Sequence, residues 1–125
     1  MKAILKLEEL AMTGISLYFL TQHSLGLSGW IWALLFFLPD LSMLGYLANA
    51  RIGATTYNLF HHKGIALLLV AIGHLANVDL LLSAGILLFA HASFDRIWGY
   101  GLKYATGFKN THLGSLEKRV EPNVL

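Results

Sequence analysis

The chain has 125 residues, room for one domain, with 56% hydrophobic and only 13% charged residues against about 25% charged in soluble proteins; this is a membrane composition. Without cysteine, disulfides, thiol nucleophiles and thiolate metal sites are excluded, so any metal must use histidine and carboxylate ligands. Nine basic residues and a net charge of +2 are too few and too scattered for a nucleic-acid surface, and read instead as signals of membrane orientation.

A first apolar helix is expected from about Ala3 to Leu20, with Lys2 and Lys6 at its head. Glu8 and Glu9 interrupt it early and no small-x-small site follows, so it does not read as a cleaved leader. The short link Leu25-Gly26-Leu27-Ser28-Gly29 suits a tight turn between antiparallel neighbours. A second helix should run from Trp30 to about Leu47, with Trp30 and Trp32 as an interfacial belt. Within it Pro39 removes a backbone donor and predicts a kink beside Asp40. A polar turn around Arg51 leads to a third helix from about Ala54 to His74, which carries Asn58, His61, His62 and Lys63 in its first half. After a link at Ala76-Asn77, where Asn77 is a candidate cap, a fourth helix runs from about Val78 to Trp98. Gly99, Gly101 and Gly107 then end the periodicity. Residues 1–105 thus read as a membrane domain and residues 106–125 as a polar cytoplasmic tail.

Basic residues sort by loop. Lys2 and Lys6, Arg51, and then Lys103, Lys109, Lys118 and Arg119 alternate with two turns that contain neither lysine nor arginine. Both termini are therefore expected in the cytoplasm, around an all-α bundle of four transmembrane helices in the inner (plasma) membrane.

Ionisable side chains inside such helices are costly, and they usually face a protein interior or a wet cavity. His91 and Asp95 stand four apart, on one face of the fourth helix. At about 1.5 Å per residue from each cytoplasmic end, Glu8 and Glu9, Asp40, and His61 and His62 fall in the same layer as this pair. Helix bundles build sites from convergent side chains that are distant in sequence. The expected ligands of a divalent metal, by donor type zinc, iron or manganese, are Asp40, His61, His91 and Asp95, with Glu9 completing the shell or acting as general base. His61 and His62 point about 100° apart, so only one of them serves well as a ligand. The competing explanation for His91 and Asp95 is interhelical hydrogen bonding that holds the bundle together. Tyr57, Tyr46, Tyr100 and Tyr104 read as interfacial residues, while His23, His74 and His112 belong to turns or the tail.

The segments Lys6-Leu7-Glu8-Glu9-Leu10, Leu38-Pro39-Asp40-Leu41-Ser42-Met43-Leu44-Gly45-Tyr46, Tyr57-Asn58-Leu59-Phe60-His61, Ala90-His91-Ala92-Ser93-Phe94-Asp95-Arg96, Gly99-Tyr100-Gly101-Leu102-Lys103-Tyr104 and Phe108-Lys109-Asn110-Thr111-His112-Leu113-Gly114 resemble the bacterial family catalogued as domain of unknown function 4260. That resemblance implies a small four-helix membrane protein and supplies no activity. More distantly, Pro39-Asp40, His61 and His91-x-x-x-Asp95 are similar to motifs of inner-membrane-associated metal-dependent hydrolases. Ser42 stands where their second aspartate would be, their middle motif is reduced, and Glu8 or Glu9 replaces an initial histidine.

The functional expectation is a metal-dependent hydrolase of a phosphorylated or lipid-like substrate, with Lys103 or Lys109 placed to receive an anionic head group. The alternatives are a proton- or ion-handling membrane protein and a structural or partner-binding bundle. The far half, with Leu67, Leu68, Leu69, Leu80, Leu81 and Leu82, offers no polar route and weakens transport by a monomer. Homodimers through Gly14 or Gly85 are a further expectation.

Overall fold

The computed structural model describes residues 2–102, 110–111 and 113–115. Apart from short connecting turns and a minimal antiparallel ladder pairing Asn110–Thr111 with Gly114–Ser115, these residues are helical. The helices are α1 (Lys2–Gln22), α2 (Gly29–Phe36), a 3-10 segment (Leu38–Leu47), α3 (Ala50–His61), α4 (Lys63–Leu75) and α5 (Asp79–Ile97).

α5 is the axis of the fold, with α1 and α4 packed along it. Small residues line much of its inward face. Ser83, Ala90, Ala92 and Ser93 are buried, and Ser83 Oγ donates to the His23 carbonyl at 2.5 Å, fixing the end of α1 against the start of α5. The α4–α5 hairpin closes by backbone approach. A Cβ on Gly85 would come within 2.7 Å of the Val70 nitrogen and 2.8 Å of the Ala66 carbonyl, and one on Gly73 would strike the Leu82 backbone. Gly85 is thus committed inside the protomer, whereas Gly14 lies on the open side of α1 with nothing near its Cβ position. Leu20, Leu82, Ile86 and Leu87 form the core, with Trp32, Leu35, Phe36 and Val70 packed against it.

The turn between α4 and α5 corrects the reading of Asn77 as a cap. Asn77 adopts the left-handed conformation, φ 56°, which asparagine tolerates better than most residues. The Val78 N–H then reaches the Gly73 carbonyl at 2.9 Å and the Asn77 N–H the His74 carbonyl at 3.4 Å. These two bonds close the end of α4 in a Schellman arrangement. The N-cap position of α5 is Val78 and carries no side-chain cap.

Two expected helices are subdivided. The second is α-helical only to Phe36. Pro39 lies at the start of the 3-10 segment that follows, where its missing N–H costs nothing. The third is broken at His62, whose backbone is extended (φ −89°, ψ 115°) and whose Nδ1 accepts the Ile65 N–H at 3.2 Å, capping α4. A histidine in a helical pattern here acts as the helix start.

The 3-10 segment and α3 cross where glycines permit it. A Cβ on Gly45 would come within 3.1 Å of the Gly53 Cα, and the Tyr46 ring covers Gly53. Thr56 Oγ1 donates to the Ser42 carbonyl at 2.8 Å, which pins the pair together and sets Asp40 opposite His61. Among the described residues two stretches are long and apolar enough to cross a membrane, Gly29–Leu47 and Asp79–Ile97. Only 6% of the first is buried inside the protein, so nearly all of its apolar surface faces outward.

Candidate metal centre

Asp40 comes from the 3-10 segment, His61 from the last turn of α3, and His91 and Asp95 from one face of α5. Their ligand atoms all lie within 4.8 Å of one another. His91 Nε2 is 3.1 Å from Asp40 Oδ1, 3.2 Å from Asp95 Oδ2 and 3.1 Å from His61 Nε2. His61 Nε2 is 3.3 Å from the same oxygen of each carboxylate. A tetrahedron of nitrogen and oxygen donors about 2.0–2.1 Å from a central ion has edges of about 3.3–3.4 Å. Five of the six separations match those edges, and with all four atoms within 4.8 Å of one another the group could hold a metal ion.

The proton inventory favours a cation at the centre. His61 Nδ1 lies 2.8 Å from the Tyr57 carbonyl, which can only accept, so in the neutral ring the proton sits on Nδ1 and Nε2 turns its lone pair inward. This is the backbone-carbonyl support that metal-bound histidines commonly receive. His91 Nε2 then faces two carboxylate oxygens and an imidazole lone pair, and a single N–H can satisfy one of the three. His91 Nδ1 is buried without a hydrogen-bond partner among the described residues. A divalent ion would meet all four donors at once and offset the cost of gathering two carboxylates away from water.

Tyr57 is the residue that sequence reading missed. Its ring stacks on His61, with centroids 3.8 Å apart and planes 9° apart, its backbone carbonyl lies 2.8 Å from His61 Nδ1, and its hydroxyl is close enough to interact with the Asp95 carboxylate. One buried side chain thus orients two of the four donors. The available signal was its position four residues before His61 on the same helix face. On the other flank the Phe36 ring packs edge-to-face on His91 at 5.2 Å. Exposure is graded across the centre: the side chains of His91 and His61 are 0% and 3% exposed, Asp95 14% and Asp40 35%. The open side is at Asp40.

Glu9 stands outside this group of four. It pairs with Lys63, tying α1 to the start of α4. The Lys63 ammonium also lies 3.7 Å from Met12 Sδ and 5.6 Å from the centroid of the Phe89 ring, a cation–π distance. Glu8 is exposed, and His62 is spent on capping α4. Lys103, Lys109 and His112, and nearly all of the tail at 106–125, lie outside the described residues.

The family model described as "Domain of unknown function (DUF4260)" matches residues 2–116, and the chain belongs to that family. No curated protein and no solved structure matches the chain.

Proposed function

We propose that this is a four-crossing inner-membrane protein, both termini cytoplasmic, that holds one divalent ion between Asp40, His61, His91 and Asp95 and hydrolyses a lipid-like or phosphorylated substrate there. The observation that carries the reading is the set of five nitrogen and oxygen separations of 3.1–3.3 Å among donors from three elements. Four N/O donors, with five of their six separations near tetrahedral edges, suit zinc best, since manganese and iron sites favour higher coordination. The membrane assignment is supported by the two long apolar spans and by the turns after α1 and α4, which contain neither lysine nor arginine.

In this reading α2 with the 3-10 segment makes the second crossing, and α3 with α4, broken at His62, makes the third. The centre then lies toward the cytoplasmic side. A bound ion would polarise an ester or phosphoryl oxygen and lower the pKa of a water. The protein's part is to hold His61 and His91 rigid through Tyr57 and Phe36, and to leave the partly exposed Asp40 carboxylate as the side from which water and substrate arrive. Glu9, engaged with Lys63, braces two helices.

Four protein donors also make a closed shell, which favours a purely structural ion. One series of measurements separates the readings. Cobalt(II) titrated into chelator-stripped protein should give the strong visible absorption of a four-coordinate site at one equivalent, lost in His91→Ala. The zinc-loaded protein should cleave p-nitrophenyl palmitate or bis(p-nitrophenyl) phosphate. Metal binding without either activity selects the structural ion; no metal binding leaves a hydrogen-bonded His–Asp network.

A further inference from the structure

A cavity of about 620 Å³ lies between α1, α2 and α5, well within the roughly 300–1,000 Å³ of sites that enclose small organic molecules. Its lining follows α2 from Gly29 to Phe37, about 12 Å of helix at 1.5 Å per residue, so the space is elongated along the helix.

The walls are mostly apolar. None of the lining residues is charged. The two strongest donors among them are already engaged, Thr21 Oγ1 with the Tyr18 carbonyl at 2.5 Å and Trp32 Nε1 with the Ser24 carbonyl at 2.9 Å. A polar guest would lose most of its hydration and find few partners. The end of the cavity has a different neighbour. Phe36 and Phe94 meet there edge-to-face at 5.3 Å, and the Phe36 ring also touches the His91 imidazole. One aromatic ring therefore separates a slot fit for hydrocarbon from a cluster of four polar donors. α2 buries none of its residues inside the protein, so the slot is flanked by a helix that presents apolar surface all round.

A slot with these two ends matches an amphiphile, apolar along its length and polar at one terminus, drawn from the surrounding bilayer. We propose that the cavity takes the hydrocarbon chain of an acyl lipid and sets the lipid's polar linkage beside Asp40, His61, His91 and Asp95. The assignment of the chain stands on the cavity alone; that the linkage is then cleaved rests on the metal-centre reading above.

The test is photolabelling of the full chain in phosphatidylcholine nanodiscs, with sites mapped by peptide mass spectrometry. Two probes carry the same diazirine-bearing palmitoyl chain, one as the free acid and one esterified in phosphatidylglycerol. Saturable labelling at Leu20, Trp32 and Phe36, competed by the unlabelled compound and exceeding that of the outward-facing Leu34 and Leu67, is expected, and the more effective probe identifies the source of the chain. Ala33→Trp, which fills the slot, should lower the labelling about tenfold, as overpacking a well-fitted site implies. Labelling that is unsaturable, or no stronger than at Leu34, overturns the proposal, and the competition arm decides this in the parent protein even if the variant does not fold. The same experiment on chelator-stripped protein and on His91→Ala separates the two readings. Labelling that survives metal loss upholds the chain site whatever becomes of the hydrolase, whereas metal retained without specific labelling upholds the centre and removes the chain site.

Discussion

Replacing Tyr57 with phenylalanine isolates the support of the centre from the centre itself. The phenylalanine ring keeps the stack on His61, 3.8 Å between centroids, and the backbone carbonyl stays 2.8 Å from His61 Nδ1. Only the hydroxyl, which interacts with the Asp95 carboxylate, is lost; the expected effect is that of removing a hydrogen bond between the two. A hydrogen bond to a charged acceptor contributes about 1.5–3 kcal/mol, and each 1.4 kcal/mol is tenfold in affinity. The Kd for zinc should therefore rise about 10–100-fold, the range found when groups that orient metal ligands are removed. The assay is competition against a chromophoric chelator in detergent, alongside thermal unfolding of the metal-free protein. Weakened zinc binding with little change in the metal-free Tm is the expected pattern. An unchanged Kd, or a loss of affinity accounted for entirely by unfolding, would refute the role given to Tyr57.

Other positions test other parts of the account. Gly85→Leu should destabilise the α4–α5 hairpin by at least the roughly 1–3 kcal/mol typical of overpacking, because the new side chain meets the backbone at Val70 and Ala66; a denaturation midpoint equal to the parent's would contradict that contact. His62→Ala removes the cap that accepts the Ile65 N–H and should cost about 0.5–2 kcal/mol, while zinc stoichiometry, read by elemental analysis, stays as in the parent. Glu9→Leu should destabilise by up to the roughly 3–5 kcal/mol of breaking a buried ion pair, and adding Lys63→Met should recover most of the loss in chemical denaturation. Failure of the double variant to recover would mean that Glu9 does more than pair with Lys63.

How far the sequence could be read follows from the range of each interaction. The His91 and Asp95 spacing is local and periodic, and α5 keeps both residues on the face that helix geometry dictates. Asp40 and His61 were legible through depth, because counting along each expected helix placed them in the same layer as His91 and Asp95. The break at His62 was not legible. An apolar run containing two histidines looks continuous, and whether the second caps a new helix depends on its ring reaching the Ile65 N–H. The 3-10 character after Pro39 was hidden for a similar reason, since a proline marks a disturbance without specifying its form. Tyr57 escaped because tyrosine near a membrane surface has an ordinary interfacial role, and only the packed structure reveals the His61 stack. The Glu9–Lys63 pair joins α1 to α4 across 54 positions, and nothing local to either residue announces the other.

Elemental analysis of the detergent-purified protein, with the same analysis of folded His61→Ala and His91→Ala variants, tests the central claim most directly. One zinc per chain in the parent, lost in both variants, is the predicted result. Protein that stays metal-free after incubation with zinc, iron(II) or manganese(II), or variants that retain the parent's metal, would contradict the assignment of Asp40, His61, His91 and Asp95 as a metal centre.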